Sequence, residues 1–498
     1  MRLVFSELKE SSNMSFIASA SRVCTLTLGA VLFLQSGAFA LDLDWHGQFR
    51  AEENVLFGYT HDVGATPNNG YTIPNNGDSP ATFQNLFFRL NPRVLVNDNV
   101  SLHSDIWLGA PDSGLFGSSA GAGSYYYHST NTGNVSLTAR TLFAELASDF
   151  GTIRVGRVPL NWGLGIIWNA KEKGFDRLPS NGDGISMVTK LGAFKFSPAI
   201  IKYQNANASN VLGTPSSLNS GNAGVSDYTA SLMYNNDDEQ IDLGIMFMRR
   251  IAGQNANVVN PFSVNTPSTS GFAYNVWDFF VKKKAGIVNV GVEVPLVTGL
   301  VASRDYSTVA GALKADAQVG ERWNLKLNMG SANGQDNGVG GTPDKLTVFS
   351  FHPDYRPGFL MFNYNYRNIA SGVGSPYNNP VTNARFLALG ADYTLGKWTH
   401  GVQGLYAIAD KTANGAAGDL YYNYSEGRYD TQAGGPSQQK GLGMEFDYRL
   451  SYDWDESIHF GLDSGFYIPG KFYEFSNSAS TNSNKTVFGT NLSMLVQF

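Results

Sequence analysis

The sequence predicts an all-β fold, a transmembrane antiparallel up-and-down β-barrel of about 18 strands with short turns at one end and long loops at the other. Three observations carry this. Apolar and polar residues alternate with period two over windows of ten or more residues along the chain, as they do where successive side chains point to opposite faces of a sheet. Very short connections alternate with long stretches rich in Gly, Asn, Ser and Pro, the mark of an up-and-down barrel. Charged residues are only 15% and aromatics 13% of the chain, yet no apolar run long enough for a spanning helix follows the N-terminal region. Strands in soluble sandwiches run to ~5 to 6 residues, whereas a tilted strand needs ~9 to 11 to cross a bilayer. Lipid cannot satisfy an open sheet edge, so such a sheet must close.

The first 40 residues read as a secretory signal peptide. Arg22 precedes an apolar run that ends in the small-x-small sequence Ala38-Phe39-Ala40. Either Met1 or Met14 starts the chain, Met14 offering the more ordinary leader. Cys24, the single cysteine, lies in this segment, so disulfides are not expected to hold the exported remainder. Residues 41–498 are then one barrel unit; losing three basic and two acidic residues leaves 32 against 39, a net charge of −7. With no basic block, nothing points to nucleic acid.

Strands are expected at about 41–58, 82–97, 99–110, 135–148, 151–158, 184–191, 194–205, 225–235, 240–251, 272–285, 286–296, 305–318, 322–332, 382–394, 397–410, 438–452, 456–469 and 485–498. The first shows the logic: Leu41, Leu43, Trp45, Phe49 and Ala51 share one face and Asp42, Asp44, His46, Gln48, Arg50 and Glu52 the other. The segment 344–370, where Leu360, Phe362 and Tyr364 alternate with Met361, Asn363 and Asn365, would add a hairpin and make 20; 16 is the alternative below. Trp45, Tyr59, Trp107, Trp277, Trp323, Trp398, Tyr448 and Tyr452 stand near strand ends, where interface girdles are built.

At the C-terminus, Phe488, Leu492, Met494, Val496 and Phe498 lead to a terminal aromatic. With the leader and the alternation, this resembles Gram-negative outer-membrane barrels and, within that class, the porins. The resemblance implies a cell outer-membrane location, recognition of Phe498 by barrel-assembly machinery, contact with outer-membrane lipid, and a water-filled channel for ions and small hydrophilic solutes. A homotrimer is compatible with an apolar outer face. A dedicated polysaccharide or oligosaccharide barrel, or a loop-plugged structural or adhesion barrel, are the alternatives.

Charge belongs on the lumen side of such a wall, because Arg or Lys at mid-depth in lipid costs ~2 to 4 kcal/mol. The pore-lining candidates are therefore Arg50, Glu52, Arg89, Arg93, Asp105, Arg154, Glu293, Lys314, Asp316, Lys326, Glu445, Asp447 and Arg449, with Asp227, Asp242, Asp392 and Asp463 on the same faces. The earlier strands supply mostly basic residues and the later ones many acidic residues; meeting at a narrow point, they would set up a transverse field. The connection 159–183 carries Trp162, Ile166, Ile167 and Trp168, too apolar for an exposed loop. It resembles the inward-folded third loop of porins, though without their acidic-glycine motif, and adds Glu172, Asp176 and Arg177 as constriction candidates. Alternatively Trp162 and Trp168 form part of a girdle.

No enzyme, metal or cofactor is expected. Gly117-Ser118-Ser119-Ala120-Gly121 matches G-x-S-x-G without the strand-to-helix setting that makes a nucleophile elbow. The seven histidines are scattered without ligand spacing. Intact mass of the membrane-extracted protein should correspond to a chain beginning at Leu41; retention of residues 1–40 would contradict the leader.

Overall fold

A computed structural model describes residues 42–59, 80–109, 137–170, 175–203, 225–252, 271–301, 303–336, 345–371, 375–423, 428–475 and 485–498. The leader, most of the long connections and Glu172 lie outside the described residues. The strands are β1 (Asp42–Phe57), β2 (Ala81–Asn97), β3 (Val100–Leu108), β4 (Leu137–Ser148), β5 (Gly151–Pro159), β6 (Asn181–Leu191) and β7 (Phe194–Tyr203). Next come β8 (Val225–Asn236), β9 (Ile241–Ala252), β10 (Phe272–Ala285), β11 (Val288–Val301), β12 (Arg304–Val319), β13 (Trp323–Ala332) and β14 (Lys345–Leu346). The chain ends with β15 (Ala384–Leu395), β16 (Trp398–Ala409), β17 (Leu420–Asn423), β18 (Arg428–Thr431), β19 (Gly441–Asp453), β20 (Ile458–Pro469) and β21 (Val487–Gln497).

Eighteen of these form one antiparallel barrel. Each pairs with its sequence neighbour, and β1 closes the ring on β21 from Gln48↔Gln497 to Phe57↔Phe488. Closure leaves no sheet edge for lipid to meet. The chain is a transmembrane β-barrel. Its outer face carries exposed Leu389, Leu492, Val402, Ile200 and Phe446. Near the turns this band is rimmed by the tilted ring pairs Trp323 with Tyr393 and Trp398 with Tyr452, ring centroids 4.8 and 4.4 Å apart.

Three expectations are corrected. The segment 344–370 adds no spanning hairpin: β14 is two residues long and pairs parallel with β12, and a short helix, α1 (Tyr366–Ser371), follows. Its alternating apolar residues are buried on both parities, Leu360, Met361, Phe362 and Tyr364 alike, so packing inside the barrel replaces the two-faced strand pattern. Tyr59 and Trp107 are not girdle residues: both are buried, and the Trp107 indole donates to Asp105 at 2.8 Å. The β11–β12 connection is short, because β11 runs on to Val301 rather than ending near 296. The chain passes Gly299 at φ +153°, where a Cβ would lie 2.4 Å from the Ala273 carbonyl, so this glycine permits close strand pairing instead of ending the strand. Beside these, the chain has an interior apolar core: Trp162, Ile166, Met246, Phe280, Phe351, Leu360, Phe386 and Leu405 belong to one buried cluster.

Depth and face together fix the cost of charge. Leu389 lies halfway along β15 on the outer face, 57% exposed. Leu389→Arg should lower unfolding stability in vesicles by about 2–4 kcal/mol, and the same change at inward-facing Ser186 should cost far less, as read from urea transitions.

Candidate functional site

The described parts of both large connections beside the apolar cluster fold into the lumen. Residues 160–180, between β5 and β6, begin as an extension of the hairpin, with Leu160 N–H donating to Ser180 O at 3.0 Å and Ser180 N–H to Asn169 O at 2.8 Å. Leu160, Trp162, Ile166 and Trp168 are buried in the cluster that includes Met246, Met248, Val276 and Phe280 of the wall. The burial comes from wall positions that would ordinarily be polar on a lumen face; here they are Met, Val and Phe. Gly163, at φ +54°, lies so close to Glu293 of β11 that a Cβ would come within 2.5 Å of its carboxylate. Glu293 accepts the Leu164 N–H and, at 3.4 Å, the Ile166 N–H.

The second connection, 333–383 between β13 and β15, is held by the same device on another part of the wall. Glu445 of β19 accepts the N–H groups of Leu360 and Met361 at 2.7 and 2.5 Å, and Asp447 accepts that of Phe359 at 3.3 Å. The Tyr355 hydroxyl donates to Asn328 at 2.8 Å, and the Tyr364 hydroxyl to Asn54 at 2.8 Å. The two loops also hold each other. His352 N–H donates to Ile166 O at 2.7 Å, and both oxygens of Asp354 accept loop N–H groups, from Arg177 at 3.0 Å and Leu178 at 2.7 Å. Burial pushes His352 below its ordinary value, in keeping with a neutral ring whose Nδ1 accepts the Asp354 N–H at 3.1 Å.

Where the loops meet β1, charge is buried in a tight group. Arg177 forks onto Glu52 at 2.9 and 2.7 Å, and its guanidinium lies 3.5 Å over the Tyr377 ring. Arg50 reaches the same carboxylate at 3.2 Å and the Asp176 carbonyl at 3.4 Å. Burial opposes the charge on Arg177, but the Glu52 carboxylate together with Tyr377 and Tyr364 outweighs it and holds the group above the ordinary guanidinium range. Arg356 donates to Phe175 O at 2.7 Å and lies 3.8 Å from Asp176.

On the turn side of both loops a cavity of about 400 Å³ opens inside the barrel. Arg177, Lys314, Arg356 and Arg449 line it against Glu52, Asp176, Asp354 and Asp463, with His459, Asn491 and Ser493. Basic and acidic groups are equal in number. Lys314 Nζ lies 4.0 Å over the Tyr355 ring, and Arg449 pairs with Asp463 at 2.5 Å.

Of the sequence candidates, the structure brings Glu52, Asp176, Arg177, Lys314 and Arg449 to this cavity, with Arg50 directly behind. Others sit apart. Arg89 pairs with Asp105 and Arg154 with Glu145, each at 2.8 Å, Lys326 contacts Asp392, and Asp316 accepts from Asn289 at 2.9 Å. Arg93 is exposed near the turn end of β2. Arg89 and Arg154 are each paired with an acid of a neighbouring strand, so around these two residues basic and acidic groups are interleaved. Glu293, Glu445 and Asp447 accept loop backbone hydrogen bonds. Phe498 is half exposed, and its backbone exchanges two hydrogen bonds with Gly47, 2.8 and 3.1 Å. Asp354, Tyr355 and Arg356 were missed. The signal that singled out 159–183, dense apolar and aromatic residues in a long connection, is as strong at Phe349, Phe351, Tyr355, Leu360 and Phe362.

No family model matches the chain, and no curated protein matches it. Among solved structures it is similar to Pseudomonas aeruginosa OccK2 (OpdF), at 11% identity and TM-score 0.49, covering 91% of this chain and 98% of that one. The outer membrane protein opdK from the same organism gives 12% identity and TM-score 0.47 over 91% and 98%. OmpT, an outer membrane protein of Vibrio cholerae, gives 9% identity and TM-score 0.38 over 93% and 99%. The likeness is to the barrel alone.

Arg177→Ala would leave Glu52 buried with Arg50 as its remaining close cation. A loss of about 3–5 kcal/mol is expected in vesicle unfolding, with Arg177→Lys recovering only part because an ammonium cannot fork.

Proposed function

We propose that the protein is an outer-membrane channel for ions and small hydrophilic solutes, narrowed by the loops 160–180 and 333–383. The observation that carries this reading is the charged cavity inside a closed barrel whose outer face suits lipid. A cavity lined by four basic and four acidic side chains holds no deep well for one sign of ion, so weak selectivity is the corresponding behaviour. On this reading a solute leaving the loop level would enter the cavity beside Arg177, Arg356 and Asp354.

A second reading has its own support. The number of carboxylates that pin loop backbone, and the apolar cluster around them, favour a barrel plugged by its loops with a structural or adhesive role. Planar-bilayer recording separates the two. The channel reading expects stepwise conductance from the purified protein, and an increase when residues 163–175 are deleted. A silent wild type, with a deletion variant that conducts, would establish the plugged barrel; an unchanged conductance on deletion would remove 160–180 as the constriction.

A further inference from the structure

The outer face of β5–β9 carries a charge arrangement that the pore does not use. Arg157, Asp183 and Lys202 are successive cross-strand partners on β5, β6 and β7, and they lie on the lipid side, in line with exposed Val155, Ile185 and Ile200. Arg157 forks onto Asp183 at 2.6 and 3.0 Å while both side chains stay well exposed, 40% and 49%. Arg249 on β9 is exposed on the same face, and among the described residues it donates only to Asn275, at 3.5 Å. Lys202 has no ion pair among the described residues. Every other outward side chain of the described parts of these five strands is uncharged.

Depth argues that this row lies at the headgroups. Lys202 stands eight residues beyond Phe194, which marks the turn end of β7. At ~3.3 Å per residue and a tilt of ~40° that is a rise of ~20 Å, close to the far edge of an apolar band ~25 Å tall. Long basic side chains there extend into the interface rather than the hydrocarbon. Three cations and one anion over five strands leave an excess of positive charge, and Arg and Lys are the residues that take phosphate.

We propose that Arg157, Lys202 and Arg249 form a site for the phosphate groups of a phosphorylated saccharolipid of the lipid A type in the outer leaflet, with Asp183 orienting Arg157. The site rests on the outer-membrane reading for its partner but not on conduction. It is tested with full-length mature protein in phosphatidylcholine vesicles, titrated with bisphosphorylated lipid A, dephosphorylated lipid A or inorganic phosphate, with bound lipid read by native mass spectrometry. The combined variant Arg157→Gln, Lys202→Gln, Arg249→Gln should bind bisphosphorylated lipid A roughly 100-fold more weakly, about fivefold per charge. Dephosphorylated lipid A should bind the wild type as weakly, and inorganic phosphate alone should not bind tightly. Lys202→Gln alone, which breaks no described ion pair, should still cost about fivefold if the combined variant fails to fold. Equal binding by wild type and variants, indifference to the phosphates, or tight binding of inorganic phosphate alone would overturn the site. Conductance recorded in the same vesicles keeps the outcomes apart: silent protein that binds lipid A sinks only the channel, and conducting protein that ignores it sinks only the site.

Discussion

The interior depends on carboxylates of the barrel wall that accept hydrogen bonds from loop groups. Glu52, Glu293 and Glu445 lie on three separated strands, are almost wholly buried, and each holds a different stretch of loop. A buried carboxylate without partners is costly, and so is a loop N–H without an acceptor. Each therefore needs the other. Loop position is set by where the wall places its acids, and the wall can bury those acids only because the loops come in. The apolar contacts around Trp162 and Leu360 add burial energy of the usual ~25 cal/mol per Å², but they are non-directional; the carboxylates supply direction.

This coupling has a consequence for motion. A loop fixed by backbone hydrogen bonds at one carboxylate swings about that point, whereas loops also tied to each other, as through Asp354 and His352, must move together or break the tie. The loop 160–180 meets β1 and β11, and 333–383 meets β1 and β19. A displacement of either is thus felt at Glu52 and Asn54, two residues apart on one strand. β1 is also the strand that closes the ring on β21, so the most constrained part of the wall coincides with the seam.

Strand count, strand faces and closure were legible because period two is enforced by geometry whenever one face meets lipid and the other does not. The pattern held through β1, β2, β13 and β19, and it placed Arg50, Glu52, Glu445 and Arg449 inward. It failed where that enforcement stops. Residues 344–370 touch protein on all sides, so both parities are apolar and the apparent alternation of Leu360, Phe362 and Tyr364 carries no strand. Trp107 has the aromatic character of a girdle residue, but Arg140 over its ring and Asp105 on its nitrogen draw it inside. Which wall charges gather at the cavity was not legible either, since parity gives a face and not a height or a partner in a distant loop.

Parity also explains why the outward charges went unnoticed. The rule that charge faces the lumen is a rule about mid-depth, where the cost of a buried cation is greatest, and it weakens toward the interface. Arg157, Asp183, Lys202 and Arg249 obey the alternation of their own strands and break the rule only in face, each with its neighbours on the apolar side. A strand register read to its end therefore separates two populations of charge. Many inward charges are paired with wall or loop groups. On β5–β9 the outward charges gather at the end where water and headgroups begin, and there an excess of one sign is offset where the surrounding medium supplies the other.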